Sequence, residues 1–137
     1  MVVLIKTMGV VMNSENYEIK PRSNWVSTSL QGYITASYAD LVEVFGEPSP
    51  INFVGGDGKV DIEWELQVED HDFNSISPLT IYNWKDYDGG TAAKTQSNYR
   101  WHIGGERVIV AAYVQQYFDN IAASRLIYGH RSTTETV

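Results

Sequence analysis

The sequence contains no cysteine and no apolar run long enough to cross a membrane, and each absence excludes a class of protein. Without cysteine there can be no disulfide staple, no thiolate metal site and no cysteine nucleophile. The apolar stretch at residues 1–12 is interrupted by Lys6 and is too short to span a bilayer. It also lacks the charged start and the small-residue cleavage site of a secretory signal. We therefore predict a cytoplasmic protein.

Basic charge is also scarce. The chain has 10 Lys and Arg against 17 Asp and Glu, which gives a formal net charge of −7. Non-specific nucleic-acid binding depends on Lys and Arg contacts to phosphates, so we expect no nucleic-acid partner. An acidic surface suits a basic protein partner better, and we predict a protein partner, with a small-molecule ligand as the alternative.

Familiar catalytic motifs are missing as well. There is no G-x-S-x-G elbow, no H-E-x-x-H pair and no Walker or dinucleotide glycine pattern. Only Glu69-Asp70-His71-Asp72 has the composition of a metal-binding loop, and a solvated loop explains it more simply. We predict no metal and no cofactor, and a binding protein is expected ahead of an enzyme with an unrecognised site.

The clearest periodic signal runs from residue 59 to residue 68. Apolar and polar residues alternate strictly there, which predicts a strand with one buried face and one solvent face. The buried face would carry Val60, Ile62, Trp64, Leu66 and Val68, and the other face would carry the carboxylates of Asp61, Glu63 and Glu65. Such a row is either simply solvated, with near-normal pKa values, or an acidic strip for a partner.

The remaining patterns predict three more strands and two helices. Ser37 can cap a short helix that ends at Gly46, and Pro48 blocks its continuation. The other predicted elements are strands at 25–35, 79–85 and 99–103 and a long helix at 106–123, separated by loops at 13–24, 69–78 and 86–98.

These elements predict an α+β fold, in which an antiparallel sheet of about four to five strands carries one short and one long helix on one face. A length of 137 residues fits a single domain. Residues 1–13 would form an extension or an edge strand, and residues 125–137 a flexible tail.

Two aromatic residues share one face of the predicted strand at 79–85. Tyr82 and Trp84 alternate with Ile81 and Asn83. If Ile81 faces the core, Tyr82 and Trp84 are exposed, as at many binding surfaces. If they face the core instead, they are bulky packing residues, and the sequence leaves both readings open.

The block Trp101-His102-Ile103-Gly104-Gly105 stands where a strand is expected to lead into a helix. Paired glycines there could hold a small anionic, nucleotide-like ligand, or they could simply turn the chain tightly. If this turn is functional, we expect His102 to point into a cleft shared with Tyr82 or Trp84, because strands 79–85 and 99–103 should be neighbours.

Four blocks in this order resemble a family of small uncharacterised bacteriophage-encoded proteins. They are residues 38–48 (YADLVEVFGEP), 59–66 (KVDIEWEL), 80–85 (TIYNWK) and 101–105 (WHIGG), within a matched region of about residues 30–105. The chain differs from that pattern by longer loops at 49–58 and 69–78 and by an N-terminal extension. The family has no established activity, so no catalytic residue carries over. The resemblance implies a phage accessory protein that acts in an infected bacterial cell and binds a host or phage protein.

The two leading hypotheses predict different surfaces. A protein-binding module should present an exposed aromatic or acidic patch. A binder of a small ligand should present a concave pocket with convergent polar groups.

Overall fold

The computed structural model describes residues 16–22, 26–50 and 58–136, with side chains up to Ser124. The predicted extension at residues 1–13 lies outside these ranges. The strands are β1 (Tyr17–Pro21), β2 (Ser29–Ala36), β3 (Glu63–Asp70), β4 (Ser75–Tyr82) and β5 (Tyr99–Gly105), and the helices are α1 (Tyr38–Phe45), α2 (Thr91–Thr95) and α3 (Ile109–Thr136).

All five strands form one antiparallel sheet in the order β1-β3-β4-β5-β2. The α+β fold class with an antiparallel sheet is therefore confirmed. Strands β3, β4 and β5 lie in the middle, so their side chains dominate both faces of the sheet.

One face of the sheet is covered by helices and holds the core. Trp64 and Trp101 are 1% and 0% exposed, and their ring centroids lie 5.4 Å apart at the centre of this face. Each indole N–H donates to a backbone carbonyl, from Trp64 to Gly46 at 2.7 Å and from Trp101 to Ala36 at 3.0 Å. The polar groups of the two largest buried side chains therefore have hydrogen-bond partners.

The short helix is as predicted. The Ser37 hydroxyl accepts a hydrogen bond from the Asp40 backbone N–H at 3.1 Å, which caps the first turn of α1. The helix ends at Phe45, and Gly46 follows with a φ of 87°, a value that favours glycine. Leu41 and Phe45 are buried, so α1 packs its apolar face into the core.

Helix α3 packs against β2 and β5, where close approach requires small residues. A Cβ on Gly32 would lie 2.8 Å from the Cβ of Ala111, and a Cβ on Gly105 would lie 2.5 Å from Val110 Cγ2. The helix begins at Ile109 and continues to Thr136, past the predicted end at residue 123. The flexible tail at 125–137 stays a prediction.

Three predicted loops contain regular structure. Strand β1 lies within the predicted loop 13–24, and α2 lies within 86–98. Strands β3 and β4 extend through the predicted loop 69–78 and leave only the turn 71–74 between them. Pro78 suggested a loop, yet β4 accommodates it because pairing with β5 starts only at Leu79.

None of the helices in the described ranges combines the length and the apolar character needed to cross a bilayer.

A candidate binding cleft on the open face of the sheet

Four side chains form a row across the face of the sheet on which the described residues place no helix, here called the open face. Strand register pairs Tyr33 with His102, His102 with Tyr82, and Tyr82 with Glu63. Directly opposed residues on one face of an antiparallel sheet lie within contact distance. Strand pairing alone therefore brings an imidazole, two phenols and a carboxyl group together.

The rings of this row form a continuous aromatic platform with Trp84. The His102 centroid lies 4.9 Å from that of Tyr33, 5.4 Å from that of Tyr82 and 6.1 Å from that of Trp84. Tyr82 and Trp84 also meet edge to face at 6.0 Å. Trp84 and Tyr33 remain 38% and 42% exposed, so the platform offers ring surface to a bound group.

The segment that leads into β2 rises over this platform and turns it into a cleft of about 440 Å³. Thr28 and Thr80 join the segment to the sheet by a hydroxyl–hydroxyl contact of 3.1 Å. Gly104 lies beneath this contact, where a Cβ would come within 2.6 Å of Thr80 Oγ1 and 2.7 Å of Thr28 Oγ1. The other described residues that line the cleft are Val26, Ser27, Leu30, Val60, Glu63, Tyr82, Trp84 and His102.

Cationic side chains lie over the rings of two platform residues, Trp84 and Tyr33. Lys59 Nζ and Lys85 Nζ lie 5.9 Å and 5.6 Å from the centre of the Trp84 ring, and the Arg100 guanidinium lies 4.2 Å from that of Tyr33. The Lys85 backbone N–H donates to the Lys59 carbonyl at 2.7 Å, which holds the two lysines side by side. Their charge contrasts with the net acidity of the chain.

Glu63 is the electrostatically unusual group of the cleft. Burial, together with the nearby Glu65 carboxylate, raises the pKa of Glu63 to about 7, while Arg22 opposes the rise. Among the described residues, the Glu63 side chain has no hydrogen bond or ion pair that would offset its desolvation. The interpretation of the carboxylate row as simply solvated therefore does not apply to Glu63, because this side chain lines a cleft rather than an open surface.

His102 favours its neutral form. Burial and the neighbouring Arg100 lower the pKa of His102, although Asp86 acts in the opposite direction. Its Nδ1 is shielded from solvent and has no hydrogen-bond partner among the described residues. Two polar groups with incomplete partners, Glu63 and His102, thus flank Tyr82 in one row.

Only some of the residues predicted for the site lie together in the structure. Tyr82, Trp84, His102 and Glu63 line the cleft, and Ile81 faces the core, which settles the orientation that the sequence left open. Asp61 and Glu65 are half-buried and lie outside the cleft lining, and the Asp61 carboxylate accepts a hydrogen bond from Asn83 Nδ2 at 3.2 Å.

Trp101 and the two glycines do not form the predicted turn. Trp101 lies in the core, on the face opposite His102. Gly104 and Gly105 are the last residues of β5, and both are buried. The strand-to-helix turn therefore does not lie at these glycines, and neighbouring side chains occupy the space that the alternative of an anion-binding turn would need for a ligand.

Some cleft residues were missed at the level of sequence. Thr80 lies two positions before Tyr82, so strand periodicity could have placed it on the same face. Residues 26–28 have no such signal, because only the tertiary fold carries this coil segment over the sheet.

A second polar cluster lies at the far edge of the sheet. The potential ligand atoms of Glu18, Glu69 and His71 lie within 4.8 Å of one another. His71 Nε2 contacts Glu18 at 3.1 Å, and Lys20 Nζ forms an ion pair with Glu69 at 2.9 Å. The Lys20 charge already compensates Glu69, so the ion pairs account for this cluster.

Comparisons of the chain with protein-family models, with curated proteins and with solved structures give no match. The geometry of the cleft is therefore the basis for proposing a function.

Proposed function

We propose that this protein is a binding protein whose cleft on the open face of the sheet takes a small ligand with a ring. The observation that carries the proposal is a concave site of about 440 Å³ in which Tyr82, Trp84 and His102 converge with Glu63. Pockets of this size, with apolar walls and a few polar groups, are typical of small-molecule sites. Side chains with perturbed pKa values in a cleft point in the same direction.

The proposed ligand site is the cleft and not the turn at Gly104 and Gly105, where the sequence suggested an anionic ligand. The platform of Tyr82, Trp84 and His102 provides the contact surface, and Gly104 contributes by letting Thr28 approach Thr80. The ligand would stack on side chains rather than bind to a backbone turn.

A protein partner is the second candidate, and the exposed rim of the cleft favours it. Leu30, Tyr33 and Trp84 are 47%, 42% and 38% exposed. Aromatic residues with such exposure often anchor protein interfaces. The resemblance to phage-encoded proteins would place that partner in the cytoplasm of an infected bacterial cell.

Amide chemical shifts measured by NMR test whether the cleft binds small rings. We expect indole, adenosine or benzoate, each added alone, to shift amides that flank the cleft, such as those of Thr28, Tyr82 and His102. His102→Ala should abolish these shifts and leave the melting temperature nearly unchanged, because His102 lies at the cleft and outside the core.

Phe73→Ala is the matched control, because Phe73 is a 61% exposed aromatic residue in the turn between β3 and β4. It should leave all ring-induced shifts intact. The proposal fails if none of the three compounds shifts these amides. It also fails if His102→Ala binds as well as the wild type while losing several degrees of stability.

A further inference from the structure

The ring surface of the cleft limits the chemistry of its ligand. Trp84 and Tyr82 are both half-exposed to the cleft, and their rings are nearly perpendicular, at 76°. A flat ring can stack on one of them while its edge meets the other. Stacking on aromatic side chains is a common way for proteins to hold nucleobases.

The Lys85 charge at the platform favours an anionic group. Lys85 Nζ lies 5.6 Å from the centre of the Trp84 ring. Lys85 has a φ of 59°, a left-handed conformation that non-glycine residues seldom adopt. This backbone geometry orients Lys85. The hydrogen bond from the Lys85 N–H to the Lys59 carbonyl holds the backbones of the two lysines together.

The carboxyl group inside the cleft calls for a hydrogen-bond donor. Glu63 lies next to Tyr82 in strand register and lines the cleft. A half-buried carboxyl group without a compensating hydrogen bond is costly, and an N–H donor from a ligand would offset that cost.

We propose that the ligand of the cleft is of the nucleotide class, an aromatic heterocycle with N–H donors on its edge and a phosphate on its sugar. The base would stack on Tyr82 and Trp84 and donate to Glu63, and the phosphate would lie by Lys85. This inference rests on the proposed function and names its ligand. A nucleic-acid strand fits less well, because a net charge of −7 repels a long polyanion.

Isothermal titration of the full chain with adenosine 5′-monophosphate, adenosine and inorganic phosphate tests the inference. We expect the monophosphate to bind about tenfold more tightly than adenosine, because one charge-assisted hydrogen bond contributes a free energy that corresponds to about this factor. Inorganic phosphate alone should bind far more weakly than either. Glu63→Gln should weaken both adenine compounds.

Lys85→Gln should remove the advantage of the monophosphate over adenosine. Lys94→Gln is the matched control, because Lys94 Nζ also lies over an aromatic ring, 5.7 Å from that of Tyr38, but outside the cleft. Lys94→Gln should keep the full difference between the two compounds.

Four results would overturn the inference. Equal affinity for adenosine and its monophosphate, unchanged in Lys85→Gln, would exclude the phosphate contact. Phosphate binding as tight as that of the monophosphate would exclude the base contact. If indole or benzoate shifts the cleft amides but neither adenine compound binds, the nucleotide class is wrong and the proposed function stands. If no compound binds, both fail.

Discussion

The two faces of the sheet differ sharply, although the same strands form both. Trp101 and His102 are neighbours in β5, yet Trp101 is 0% exposed beneath the helices while His102 lies in the open cleft. Side chains alternate along a strand, so a core on one face fixes the position of every residue on the other. The covered face holds the strands in place, and the open face is free to carry binding groups.

The faces also differ in how their polar groups are satisfied. On the covered face, the indole N–H groups of Trp64 and Trp101 reach backbone carbonyls, and the buried Asp70 accepts a hydrogen bond from Tyr113. On the open face, among the described residues, His102 Nδ1 has no partner. Complete polar partners are typical of a stable core, and incomplete ones are frequent where a ligand binds.

The largest expected effect comes from removing a tryptophan from each face. Trp64→Ala should lower the free energy of unfolding by about 3–5 kcal/mol, because it leaves a large cavity in the core. Trp84→Ala should cost only about 1 kcal/mol, because its ring is partly in water. Urea unfolding of both variants measures the difference, and equal losses would contradict the division between the faces.

A smaller effect is expected from the two glycines at the end of β5. Gly105→Ala would place a methyl group 2.5 Å from Val110 Cγ2, so α3 must shift, at a cost of about 1–3 kcal/mol. Gly104→Ala would instead press on Thr28 and Thr80 and displace the wall of the cleft. Thermal unfolding should show the larger loss for Gly105→Ala, whereas ring-induced amide shifts should change only in Gly104→Ala. The opposite assignment would show that Gly104 has no role in shaping the cleft.

The smallest expected effect is on the pH dependence of stability, and it involves Glu63. The pKa of this carboxyl group is raised to about 7 in the folded protein, above the ordinary value of 4.5. The folded state therefore binds more protons than the unfolded state between these two values, and its stability falls as the pH rises through this window. Glu63→Gln should remove that loss and stabilise the protein by about 0.5–1 kcal/mol at pH 8, after allowance for solvent screening.

At pH 4 the Glu63→Gln variant and the wild type should be equally stable, because the carboxyl group is then protonated in both folded and unfolded chains. Glu106→Gln is the control, because Glu106 is exposed and lies outside the cleft lining. Melting temperatures across this pH range measure both variants. A Glu63→Gln effect that is the same at pH 4 and pH 8 would contradict the desolvation of Glu63.

The sequence predicted those parts of the fold that depend on local pattern. Strict alternation before and through β3 predicted a buried face of Val60, Ile62, Trp64, Leu66 and Val68. The last four are buried, but Val60 is half-buried and lines the cleft. Ser37 and Gly46 marked the ends of α1, because capping and a positive φ depend on the identity of single residues. The local sequence pattern did not predict β1 or the outer half of the β3–β4 hairpin. Polar edge residues and Pro78 resemble a loop when their strand partners are unknown.

The sequence by itself determined the α+β class, the buried face of β3 and the pairing of Tyr82 with Trp84 on one face. Only the tertiary structure decided that Glu63, Tyr82, His102 and Tyr33 form one row, because strand order and register depend on contacts between distant segments. The tertiary structure also carried Thr28 over Gly104 to close the cleft. Tertiary packing also desolvates Glu63, so its shifted pKa is a property of the fold and of no local sequence pattern.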